Sequence, residues 1–128
     1  MKNKISILFL FLFCATALVL AVRGDMGNPN KENLNNTEWR DSGPFELSPE
    51  RGRFALLYSV IEDRSFQFDL PIARFATPDL AIINGKYVSL FAPGVSLALI
   101  PGYLLGKHFG ISQVGTFLEI ALIGTLNV

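Results

Sequence analysis

Apolar and polar positions are strongly segregated along this chain. Apolar residues gather in three blocks, near residues 5–22, 87–106 and 111–128, and almost all charge lies between the first two. The central block says most. Leu90 to Gly106, LFAPGVSLALIPGYLLG, carries no charge, and with Tyr87, Val88 and Ser89 it reaches twenty residues. At ~1.5 Å per residue a helix of that length spans the roughly 30 Å core of a bilayer. Beyond Ser89 its polar side chains are Ser96 and the Tyr103 hydroxyl, so no polar face recurs at the helical period. Pro93, Pro101, Gly94, Gly102 and Gly106 are costly in a water-exposed helix and tolerated in membrane helices. The segment therefore predicts a transmembrane helix over 87–106; the competing reading is a hairpin buried in a soluble core.

The flanking blocks are read the same way. Lys2 and Lys4 precede eighteen uncharged residues, Ile5 to Val22. Ala15-Thr16-Ala17 offers a small-residue cleavage site, but the apolar run continues beyond it, which predicts an uncleaved anchor over 1–22. Residues 111–128 predict the start of a third span. Glu119 lies in its middle, where an ionised carboxylate is costly unless it faces other helices or water. The expected fold class is an α-helical integral membrane protein of two to three transmembrane helices, the front of a larger multi-spanning fold. Lys2, Lys4 and Lys107 predict a cytoplasmic amino terminus, residues 23–86 outside and the 107–110 turn inside, in a multi-pass protein of the cell membrane. Gly94, Ala98 and Gly102 recur every four residues, a stripe suited to close helix approach.

Between the first two blocks the periodicity changes. Residues 23–47 read as a polar loop. Ser48-Pro49-Glu50 reads as a helix cap, a proline in the first helical position and an acid in the first turn. Phe54, Leu57, Tyr58 and Ile61 then mark one apolar stripe of an amphipathic helix over 49–63, opposite Arg51, Ala55, Ser59 and Glu62. Phe66, Phe68 and Leu70 alternate with polar residues, predicting a short strand. Residues 80–83 and 86–88 flank Asn84-Gly85, the signature of a tight hairpin.

Eleven basic residues balance eleven acidic ones, so no net charge calls for nucleic acid. Cys14 is the single cysteine and His108 the single histidine, which excludes an internal disulfide and any cysteine- or histidine-based metal site built unaided.

Segment 48–106, with SPERGRFALLYSVIEDRSFQFD, then Asn84-Gly85-Lys86-Tyr87 and Ala92-Pro93-Gly94-Val95-Ser96, resembles the amino-terminal part of bacterial C-type-fold membrane glycosyltransferases, the group related to protein mannosyltransferases and lipopolysaccharide sugar transferases. The resemblance implies sugar transfer from a polyprenyl-phosphate donor on the outer membrane face, by a chain inactive alone and completed by further carboxy-terminal helices or a partner membrane protein. It implies the lipid bilayer and a lipid-linked sugar as partners, and leaves a divalent cation open. The family's acid lies at the start of the outer helix, usually as aspartate, which makes Glu50 the expected base, with Asp41 and Glu46 as runners-up. Such a transfer needs a carboxylate to take the acceptor proton and cations for the phosphate. Arg51, Arg53 and Lys86 lead the cation candidates, with Arg64 and Arg74 behind them. The alternative is a small non-catalytic membrane protein, an accessory subunit whose outer segment binds.

Overall fold

The structure, a computed structural model, describes residues 2–22, 27–45 and 47–126. In chain order its elements are helices α1 (Lys2–Leu20), α2 (Lys31–Leu34), α3 (Thr37–Ser42) and α4 (Ser48–Glu62), strand β1 (Gln67–Phe68), helix α5 (Leu70–Ala76), strands β2 (Leu80–Ile83) and β3 (Lys86–Ser89), and helices α6 (Pro93–Ala98), α7 (Ile100–His108) and α8 (Ser112–Leu126).

Helix α4 is the axis of the core. Pro49 stands in its first turn, where a missing N–H costs no helical hydrogen bond, and Glu50 reaches back to accept from the Leu47 N–H at 3.3 Å. Leu47, not Ser48, is the cap residue; its side chain has no acceptor, so Glu50 supplies the only side-chain cap. Phe54, Leu57 and Tyr58 are buried as their spacing predicts, but Arg51, Ala55 and Ser59 on the face expected to be polar are buried too. The amphipathic reading of this helix is corrected: α5, α6 and β1 pack around it. Ser59 is satisfied there because its hydroxyl donates to the Gln67 carbonyl at 2.8 Å. Phe54 is the hub, with ring centroids of Phe45, Tyr103 and Phe75 at 5.2, 5.9 and 6.1 Å.

The strands form one antiparallel sheet in the order β1-β3-β2. Its hairpin turns at Asn84 and Gly85, whose φ values of 52° and 75° suit a tight turn with two left-handed residues, a demand the Asn-Gly pair meets at little cost. Phe68 and Ile82 both pair with Tyr87 across β3. The alternation expected to continue through Leu70 stops at Phe68, because Asp69 accepts from the Ile72 N–H at 3.2 Å and, with Pro71, starts α5.

The expected 87–106 span is broken in two places. Tyr87 to Ser89 belong to β3, and the remainder divides into α6, six residues, and α7, nine residues, which meet at Leu99. Pro101 makes the second break, because it has no N–H to carry the ladder of α6 onward and stands in the first turn of α7. The Glu119 Oε2 then accepts from the Gly102 N–H at 2.7 Å, capping that turn from the neighbouring helix α8. Of the predicted stripe of Gly94, Ala98 and Gly102, Gly102 makes a close contact, whereas a Cβ on Gly94 would meet open space. Close approach instead uses Gly102 and Gly106 against Gly115, where an added Cβ would lie 2.5 Å from the Gly102 carbonyl oxygen and 2.7 Å from the Gly106 Cα.

Among the described residues no helix is long and apolar enough to cross a membrane. The uncharged part of α1, residues 5–20, measures ~24 Å at 1.5 Å per residue, and α8, with 15 residues, ~22 Å, both short of a bilayer core. The predicted sidedness fails independently. Lys107, placed on one side of a bilayer, binds Glu62, placed on the other, at 2.6 Å, and the Asn28 amide donates to the Lys107 carbonyl at 2.9 Å. The expectations of a multi-pass, cell-membrane protein with transmembrane helices and a cytoplasmic amino terminus are therefore corrected to a fold of short helices around a three-stranded sheet.

Candidate functional site

The amino-terminal half of α4 faces two environments. On one side a pocket of about 210 Å³ opens between α4, α6 and α8, walled by Phe45, Phe54, Phe117 and Leu99 and carrying Glu50, Arg53 and Thr116. Glu50 and Arg53 stand three residues apart, so one helical turn presents both at this pocket. The Glu50 carboxylate uses Oε2 for the Leu47 N–H, and Arg53 donates to the Pro49 carbonyl at 3.4 Å, both long bonds. The Arg53 guanidinium also stacks 4.6 Å above the Phe91 ring, a cation–π contact that fixes its direction. Ser96, fully buried, ties α6 to this turn by donating to the Arg53 carbonyl at 2.9 Å. Thr116, fully buried, donates to the Ser112 carbonyl at 2.9 Å.

Arg51 lies on the other side of α4 and is buried. Burial lowers the pKa of its guanidinium from the ordinary arginine value, and Arg40 adds to the lowering; Asp41, Asp79 and Glu50 act in the opposite sense. Asp79, whose Cβ comes within 3.6 Å of a Cβ built on Gly52, has a buried Oδ2 without a hydrogen-bond partner among the described residues.

The structure thus brings two expected site residues, Glu50 and Arg53, to one pocket. The other candidates lie elsewhere. Arg51 points into the protein; Asp41 is exposed and pairs with Arg40 at 3.6 Å. Lys86 is exposed at the hairpin, the far end of β3 from the Phe91 platform. Arg74 donates to the Asn35 side chain at 3.1 Å and shares a polar cleft of about 290 Å³ with Arg40 and Thr77. Arg64 is an exposed residue with φ of 51° after α4, and Glu46 lies outside the described residues. Among the described residues no cluster of three histidine, cysteine or acidic side chains has metal-binding geometry. The divalent cation left open by the resemblance has no such ligand set there.

Sequence reasoning missed the aromatic walls. Phe45 lies in the stretch read as a polar loop and Phe117 in the block read as a third span, while Phe91, which carries the Arg53 guanidinium, stands next to a proline-glycine break. Their convergence on α4 is a long-range event that no local pattern signals.

Two ionic clusters anchor the far end of α4. Lys31 binds Asp69 at 2.6 Å and Asp63 at 2.8 Å, and these hydrogen bonds raise its pKa above the ordinary lysine value. Glu62 accepts from the Tyr103 hydroxyl at 2.8 Å and from Lys107. Burial, followed by that bond to Glu62, pushes the Tyr103 pKa up. These contacts make Glu62 and Asp63 structural ties between helices.

The chain matches no known protein family, no curated protein and no solved structure. The resemblance to C-type-fold glycosyltransferases accordingly rests on the quoted sequence segments alone.

Proposed function

We propose that this chain is an accessory binding module whose α4 pocket takes a single-ring polar ligand carrying an anionic group, of the sugar-phosphate class. The observation that carries the reading is the joint presence of Glu50 and Arg53 at one aromatic-walled pocket. Aromatic rings accept the apolar face of a sugar ring, a carboxylate accepts from its hydroxyls, and a guanidinium held over Phe91 pairs with phosphate oxygens. At about 210 Å³ the space falls below that of drug-sized ligands and suits one ring. Binding without catalysis is favoured because Glu50 is engaged in capping α4.

The test is a ligand-observed NMR titration of the full chain with glucose 1-phosphate. Saturation transfer to the ring protons is expected, reduced about tenfold in affinity by Arg53→Gln through loss of a charge-assisted contact. Absence of transfer to wild type, or an Arg53→Gln variant that binds equally well, would reject the pocket.

A second reading, sugar transfer from a phosphate-linked donor with Glu50 as base, is favoured by one observation: a carboxylate and a guanidinium face the same pocket, and Oε1 of Glu50 has no partner among the described residues. Glu50→Gln separates the two. Under the binding reading it changes affinity modestly; under the transfer reading it abolishes turnover of a sugar-phosphate donor while leaving affinity intact.

A further inference from the structure

Away from the α4 pocket, the polar cleft of about 290 Å³ draws side chains from α3, α5 and the turn after α2. Arg40 comes to it from α3 and Arg74 from α5, so the fold joins two guanidiniums that are far apart in the chain. Asn35, Thr37 and Thr77 add polar atoms, and the buried Leu34 is the one apolar residue. Among the described residues no carboxylate and no aromatic ring lines the cleft.

Both guanidiniums have N–H groups left over. Arg74 is held by a single bond, to the Asn35 side-chain oxygen at 3.1 Å, which fixes its direction and leaves four of its five donors. Arg40 makes no hydrogen bond among the described residues. Its Nε lies 3.6 Å from an Asp41 oxygen, beyond hydrogen-bond range, and the Asp41 side chain is 72% exposed. An exposed pair of this kind contributes little, so an anion with better geometry displaces it readily. The Thr37 hydroxyl also lacks a partner among the described residues, whereas Thr77 already donates to the Ala73 carbonyl at 2.9 Å.

The attraction is local. With eleven basic and eleven acidic residues the whole chain does not draw anions by its net charge. Two guanidinium forks offer paired donors to several oxygens at once, which suits a phosphate dianion better than a lone carboxylate. The cleft has room for more than the anion, at about 30 Å³ for each water-sized group. Without an aromatic ring it offers no platform for a base or a sugar face, and its amide and hydroxyl groups suit a short chain of hydroxyls.

We propose that the Arg40–Arg74 cleft binds a phosphate monoester of a small acyclic polyol. The cleft shares no residue with the aromatic-walled Glu50–Arg53 pocket, and the two readings stand or fall separately.

The test is isothermal titration of the full chain with glycerol 3-phosphate. Saturable binding is expected, with glycerol alone giving none and inorganic phosphate binding more weakly. Arg40→Gln and Arg74→Gln should each weaken it about tenfold through loss of a charge-assisted contact, and Arg40→Lys should recover only part, because an ammonium keeps the charge without the fork. Asp41→Asn removes the competing carboxylate and should tighten binding about twofold, a gain that a purely structural role for Arg40 does not give. Arg53→Gln should leave it unchanged. If Arg74→Gln does not fold, the exposed positions 40 and 41 still decide the matter. Absence of binding, wild-type affinity in Arg40→Gln, or an equal loss in Arg53→Gln overturns the proposal. Equal affinity for inorganic phosphate overturns the ester. Sedimentation with phosphatidic acid vesicles that depends on Arg40, without binding of glycerol 3-phosphate, would assign the cleft to a lipid headgroup instead.

Discussion

Helices α4 and α1 make an instructive pair. Residues 5–20 of α1 have no charge, yet Phe9 is 72% exposed and Leu20 81%. Helix α4 carries Glu50, Arg51, Arg53 and Glu62, yet Phe54 is 1% exposed and Ala55 and Leu57 are wholly buried. The more hydrophilic helix is the core, and the apolar one lies on its outside. Apolar composition says that a helix gains from burial; only the surrounding elements determine whether it is buried. Helix α4 has α5, α6 and the sheet around it, whereas α1 touches chiefly α8.

The largest expected effect attacks that contrast directly. Phe54→Ala removes the hub of the aromatic cluster and should cost about 3–5 kcal/mol, whereas Phe9→Ala should change stability by less than about 0.5 kcal/mol. Urea denaturation of the two variants measures both. Comparable losses would show that α1 is held as firmly as the core.

A smaller effect is expected where the two regions join. Gly115→Ala places a methyl against the backbone of α7 at positions that cannot swing aside, and should cost about 1–3 kcal/mol by parting α7 from α8. Hydrogen exchange should localise the loosening to residues 100–126 while α4 amides keep their protection. Loosening that spread equally into α4 would mean the two regions unfold as one.

The smallest effect concerns the Lys31 tie, which belongs to the α4 side. Because Asp63 and Asp69 raise the Lys31 pKa in the folded chain, its contribution is fully present below the ordinary lysine range and is lost as pH rises through the folded value. Lys31 is 40% exposed at its side chain, so solvent screening limits the contribution to about 1 kcal/mol or less. Lys31→Met should therefore lower Tm slightly at pH 7 and 8, and the gap to wild type should narrow above about pH 10.5. A gap that widened with pH would contradict the assigned sign.

How much of this was legible in the sequence depends on how local each cause is. The hairpin forms where Asn84-Gly85 places it, since both residues meet their own turn requirement. The start of α4 was readable to within one residue from Ser48-Pro49-Glu50. Helix α5 was readable too, from Asp69 and Pro71, but the alternation of Phe66, Phe68 and Leu70 competed with that signal. The break at Leu99 was signalled by Pro101, a residue read as tolerated within a span; the cap that Glu119 brings from α8 to the Gly102 N–H was not legible. Glu50 and Arg53 were found as chemistry, but their shared pocket depends on Phe45 and Phe117, far away in the chain. The membrane reading failed for a related reason: an uncharged run of twenty residues sets a composition, and the strand and helix breaks within it set a different shape.

One clasp has a consequence for the order of assembly. The Asn28 side chain donates to the Lys107 carbonyl and accepts from the Ser112 N–H, contacts separated by 79 and 84 residues. Contacts of such separation close late, after the entropy of the intervening loop has been lost. On a ribosome adding ~5–20 residues per second, Asn28 must wait on the order of 4–17 s before residue 112 exists to receive it. Throughout that interval the apolar helix α1 has no α8 to lean on, so the nascent chain is exposed to aggregation, or in need of a chaperone, until residues 112–126 are made.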